Sequence, residues 1–107
     1  MRERDVQSKV VGYARRLGAI ARKLDFGEGW PDYLFLYKGR VLFIEFKSTV
    51  GRLRPLQGHV HGVLRNSGFV VYVVNESSKG YEIIDRFIAH TGKSVVDYSD
   101  ITKELCK

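Results

Sequence analysis

Apolar and polar positions change period several times along the chain. Val6, Val10, Tyr13, Ala14 and Leu17 recur at i, i+4, i+7, i+8 and i+11. That is one stripe of an amphipathic helix over about residues 3–18, and Gly18 is its predicted stop. AIARKL (19–24) reads as a short strand and DFGEGW (25–30) as a loop. PDYLFLYK (31–38) and VLFIEFK (41–47) read as two strands joined by a tight turn at KGR, where Gly39 supplies the backbone freedom. Pro31 has no N–H and suits only the start or the edge of its strand. STVGRLR (48–54) is a basic loop, and Pro55 suits the first turn of a helix. Leu56, Val60, Val63, Leu64 and Ser67 set the predicted buried stripe of that helix, which Gly68 ends. Its interior glycines, Gly58 and Gly62, each cost about 1 kcal/mol and clear one face for close approach by another backbone. FVVYVV (69–74) is a continuous apolar run and reads as a buried strand. Ile83, Ile84, Phe87 and Ile88 give YEIIDRFIAH (81–90) a helical spacing. The remaining tail is weakly patterned, with a short helix expected from Asp100.

The predicted order is α-β-β-β-α-β-α. A helix between the hairpin and the last strand permits a crossover, so an α/β fold follows: an α+β mixed sheet with helices on both faces. The 107 residues suffice for one core and are too few for two. One domain over 1–107 is expected, its core at about 3–75 and a C-terminal helix and tail at 80–107.

Composition narrows the setting. No apolar run approaches the roughly 20 residues of a membrane span, so no membrane partner is expected. The opening residues MRERDVQSK lack the apolar stretch of a signal peptide. The lone cysteine, Cys106, rules out a disulfide framework or a cysteine-based zinc site and is expected to be inert. A cytoplasmic location is the expectation. The formal net charge of +6 is uneven: residues 1–75 hold 13 Lys/Arg against 6 Asp/Glu, whereas 76–107 hold 5 against 6. A basic segment with a few inward carboxylates suits a polyanion handled through metal ions.

Candidate chemistry centres on FIEFK (43–47). Side chains alternate along a strand, so Glu45 and Lys47 share one face while Leu42, Ile44 and Phe46 take the other. Val41 and Phe43 share the charged face, which argues against simple solvent exposure. Burying two charges is tolerated when they are paired or bound. Pairing about Gly39 brings position 32 opposite roughly position 46, so Asp32 meets the Glu45–Lys47 segment. Two carboxylates and a backbone carbonyl are hard oxygen ligands for Mg²⁺. A lysine beside them can act on the attacking water or on the charged transition state.

Pro31-Asp32 followed by Glu45-x-Lys47 on a hairpin resembles the PD-(D/E)XK nuclease superfamily. The longer stretch GWPDYLFLYKGRVLFIEFKSTVGRLRPLQ resembles its VRR-NUC (virus-type replication-repair nuclease) family. The residues that carry the likeness are Gly29, Pro31, Asp32, Gly39, Ile44, Glu45, Lys47, Gly51, Arg52, Leu53, Pro55, Gln57, Gly68 and the 70–74 strand. Glu3 and Gln7, one helical turn apart, fit the family's first helix. Tyr33 departs from the pattern, where an aliphatic residue is expected.

The resemblance implies a metal-dependent, structure-specific DNA endonuclease, acting on branched or junction DNA in replication or repair in a bacterial host or phage-infected cell. The alternative is a non-catalytic DNA-binding module that retains the fold. Asp32, Glu45 and the Phe46 carbonyl would hold Mg²⁺ or Mn²⁺, with Glu3 as an outer ligand. Lys47 would act on the water or the phosphate, and Gln57 would position Lys47 or the water. A homodimer would suit a branched substrate.

Arg52 and Arg54 are the candidate phosphate clamps, with Gln7 a further DNA-contacting candidate. Trp30 either stacks on a base or caps the core. Arg15, Arg16, Arg22, Lys23 and Arg40 read mainly as solvated surface. His59 and His61 stand i, i+2 on a helix and face apart, so they do not read as a metal pair. His90 reads as structural or exposed.

Overall fold

The computed structural model describes residues 2–48 and 50–89. The elements run α1 (Glu3–Arg16), β1 (Ile20–Lys23), β2 (Tyr33–Tyr37), β3 (Arg40–Phe46), α2 (Pro55–Asn66), β4 (Val70–Val74) and α3 (Ser77–Ala89). This is the order the periodicity predicts. His90, Cys106 and the helix expected from Asp100 lie outside the described residues.

The four strands form one sheet in the order β1-β2-β3-β4. β1, β2 and β3 pair antiparallel, and β3 pairs parallel with β4. α2 makes the crossover that the parallel pair requires. α1 and α3 pack on one face, where Val6, Val10, Ala14, Ile83 and Ile84 bury Phe35, Leu42, Ile44, Phe46 and Val74. α2 covers part of the other face, over Phe43 and Val71. The mixed sheet with helices on both faces is therefore as expected. Burying each large apolar side chain contributes about 1.5–3 kcal/mol, and Phe35, Ile44 and Phe46 have no exposed surface. Tyr33 fills the place of the expected aliphatic residue, its ring tilted on Phe35 and edge-on to Phe46.

Three local features differ from the sequence-based expectation. The hairpin turn has two residues, Lys38 at φ 48° and Gly39 at φ 79°, both in the left-handed region of a type I′ turn. Its pivot falls between them rather than on Gly39. Tyr37 then pairs with Arg40 and Tyr33 with Ile44. The same register carried outward puts Asp32 opposite Glu45, one residue short of the expected position 46. That single step matters, because directly opposed residues point to the same side of a sheet.

The second difference is in α2. Its sheet-facing residues are His61 and Leu64, both buried, with Val60 half-buried. Leu56 and Val63 are exposed, 46% and 52%. The expected apolar stripe was thus rotated from the true one: Gln57, His61 and Leu64 run down the inner line. The third is α3, which begins at Ser77, four residues before the expected 81. Gly80 lies inside this helix and is buried, and a Cβ there would collide with the Val10 side chain of α1. Gly80 is what allows the two helices to approach.

Candidate active site

The site lies where the hairpin ends, at the edge of α2. Pro31 sets it up by what it lacks. Lys47 donates its backbone N–H to the Val74 carbonyl at 2.9 Å, so alternate peptide groups of β3 face β4 and those between face β2. Phe46 is one that faces β2, in line with Pro31, which has no N–H to give. The Phe46 N–H instead donates to Asp32 Oδ2 at 2.8 Å. The same alternation turns the Phe46 carbonyl to the Asp32 side. Asp32 is fixed from behind as well, since its carbonyl accepts the Leu24 N–H at 2.7 Å.

Glu45 is 2% exposed. Its Oε2 accepts from Lys47 Nζ at 3.1 Å and from Gln57 Nε2 at 3.0 Å. Gln57 Oε1 in turn accepts the Arg54 backbone N–H at 2.9 Å, satisfying an orphan donor at the start of α2. One side chain thus ties the helix terminus to the buried carboxylate. Gln57 meets Lys47 through Glu45, since both side chains donate to the same Oε2. Glu45 Oε1 is buried without a hydrogen-bond partner.

Burial pushes the Asp32 carboxyl above its usual range, against the opposing pull of the Phe46 N–H, Lys47 and Lys23. Glu45 is also raised, first by burial and then by the Asp32 charge, with Lys47 opposing and Glu3 adding a smaller push. Like charges directly opposed on neighbouring strands are destabilising. A divalent cation would relieve the pair, and the donors present fit one: two carboxylates, one with a free buried oxygen, and a backbone carbonyl. Among the described residues no three His, Cys, Asp or Glu side chains form a metal-binding group. Glu3, exposed at the start of α1, reaches Glu45 by its field and does not close a triad.

The structure therefore brings together Asp32, Glu45, Phe46, Lys47 and Gln57. Arg52 and Arg54 are exposed on the loop entering α2, and Gln7 is half-buried on α1; the side chains of these three make no hydrogen bond to the carboxylates. Trp30 is half-buried and caps the second core, its ring 6.5 Å from that of Phe43 and edge-on to Phe26 at 5.3 Å. Gly58 and Gly62 have open space where a Cβ would be added. His59 is exposed and His61 is buried, so the two do face apart. His61 is the residue that sequence reasoning passed over. Its ring has no exposed surface, and neither nitrogen has a partner. The only signal was its place one turn after Gln57.

A mixed sheet flanked by helices, with two carboxylates and a lysine at the open end of its central hairpin, is consistent with a nuclease-like fold. A solved structure described as a VRR_NUC domain superposes on the chain with a TM-score of 0.67 and 30% sequence identity, covering 84% of this chain and 97% of that one. The chain belongs to the VRR-NUC family. No protein-family model matches it, and no curated protein does.

Proposed function

We propose that the chain is a divalent-metal-dependent deoxyribonuclease that hydrolyses phosphodiester bonds and leaves a 5′-phosphate. The observation that carries this reading is the pairing of half-buried Asp32 with buried Glu45, both raised in pKa, with Glu45 Oε1 free and Lys47 against Oε2. Asp32, Glu45 and the Phe46 carbonyl would hold Mg²⁺ or Mn²⁺, with Glu3 at the periphery. A bound ion of this kind lowers the pKa of a coordinated water and neutralises charge on the scissile phosphate. Gln57 fixes the rotamer of Glu45 by donating to the oxygen that Lys47 also uses. Lys47, with 13% of its side chain exposed, holds its ammonium at the rim, where it orients the attacking water or offsets charge on the phosphate. Arg52 and Arg54 would grip flanking phosphates, and Gln7 and Trp30 would be further contacts to DNA.

Branched or junction DNA in replication or repair is the proposed substrate, a homodimer the proposed assembly and the cytoplasm the proposed setting. A small basic domain gains grip on a branched duplex by presenting two sites related by a two-fold axis. The test is cleavage of flap, splayed-arm, four-way and linear DNA with Mg²⁺, Mn²⁺ or EDTA. Metal-dependent cutting of branched substrates is expected, and Lys47→Ala should abolish cutting while binding persists. Binding without cleavage under any metal would make the chain a DNA-binding module instead. Sedimentation of a monomer at micromolar concentration with DNA present would remove the dimer.

A further inference from the structure

Among the described residues, four buried side-chain polar atoms lack a hydrogen-bond partner: Arg40 Nη1, Glu45 Oε1 and both ring nitrogens of His61. The free Glu45 oxygen fits a cation. His61 needs a separate account. An unpaired buried polar group costs about 1–3 kcal/mol, so a leucine of similar size at this position would be the more stable choice. His61 lies on the sheet-facing line of α2, one turn beyond Gln57, which is bonded to Glu45. Burial lowers the pKa of its ring and so favours the neutral form, and the charges of Arg65 and Lys47 act in the same direction. A neutral imidazole offers one N–H and one lone pair, whereas an ammonium offers three N–H groups. Glu45 Oε2 takes the Lys47 ammonium at 3.1 Å.

We propose that His61 is a positioning residue for Lys47, its lone-pair nitrogen accepting an ammonium N–H once Glu45 gives its charge to a divalent ion. This rests on the metal-dependent reading above. When the carboxylate is committed to a cation, its hold on Lys47 weakens, and a long side chain at the rim becomes free to wander. A second carboxylate in place of His61 would hold the lysine but cancel its charge. A neutral acceptor aims it and leaves the charge available to a phosphate. No proton changes owner in this handover. It also accounts for a ring left unsatisfied when the Glu45–Lys47 pair is intact.

The test uses the full chain with ¹⁵N-labelled histidine, observed by NMR as Ca²⁺ is added. One ring nitrogen of His61 should shift with Ca²⁺ in the wild type and stay still in Lys47→Met. His61→Leu should melt at or above the wild-type temperature in EDTA. Its kcat with Mn²⁺ should fall by about ten- to a hundredfold with little change in KM, the range seen for groups that orient an active-site residue. His61→Gln, which keeps an acceptor, should recover part of that loss. Wild-type kcat in His61→Leu, His61 signals indifferent to Ca²⁺, or a parallel loss of melting temperature and kcat would each overturn the proposal, the last by assigning a packing role. Absence of wild-type cleavage with every metal would sink the nuclease reading, and the Ca²⁺-dependent shift would still decide the His61–Lys47 contact.

Discussion

In the candidate site, Asp32, Glu45 and His61 each carry an imbalance that a partner would correct. Asp32 and Glu45 bind protons more tightly in the folded chain than in the unfolded one, because burial raises both and the Asp32 charge adds to the rise at Glu45. Their contribution therefore favours the fold at low pH and fades as pH rises from the ordinary carboxylate value through the raised one. Asp32→Asn removes that penalty. In EDTA, melting temperature should fall less between pH 4 and 8 in Asp32→Asn than in the wild type. Added Mg²⁺ or Mn²⁺ at pH 7 should stabilise the wild type and barely move the variant. A steeper decline in the variant would show that the pair is not strained. Gln57→Ala loses the bond to Glu45 and the one to the Arg54 N–H. It should cost about 1 kcal/mol, a drop of about 4–8 °C by calorimetry, and lower activity as well. Residue types and spacing made Asp32, Glu45 and Lys47 legible in the sequence. The partner of Gln57 and the burial of His61 were not, because both depend on how α2 is rotated over the sheet.

At the scale of elements, periodicity located every helix and strand of the described residues, and what it missed were relations between them. α2 has apolar residues on both sides of a polar inner line, so counting hydrophobic positions placed its buried face wrongly and put Val63 inside. The start of α3 was hidden because Gly80 counts against a helix when only its own segment is considered; its reason lies 70 residues away in Val10. Gly80→Ala tests this. Helix propensity alone would make it stabilising by about 1 kcal/mol. The collision with Val10 should reverse the sign, destabilising by about 1–3 kcal/mol in urea unfolding. Val10→Ala should recover part of that loss in the double variant. Additive losses would mean that the helices do not meet there.

For the molecule as a whole, the charge asymmetry of the sequence acquires a location. The loop entering α2 holds Arg52 and Arg54 exposed, and its last backbone N–H is bonded to the same Gln57 that holds Glu45. The proposed phosphate-contacting loop and the carboxylate are thus mechanically adjacent. Arg52→Ala should weaken binding of a four-way junction and reduce the slope of log K against log salt by about one, read from fluorescence anisotropy in Ca²⁺. An unchanged slope would remove Arg52 from the interface. No helix among the described residues is long and apolar enough to cross a membrane.

The two-residue turn has a practical consequence. Five paired positions separate it from Asp32 and Glu45, which is about 17 Å of strand. Lys38 and Gly39 are exposed there, and open space surrounds the Gly39 Cα. A fluorophore or a tether grafted between them would ride on the central hairpin of the sheet yet stay clear of the proposed chemistry. The same hairpin that aligns the carboxylates offers, at its far end, a handle for watching the domain move on DNA one molecule at a time.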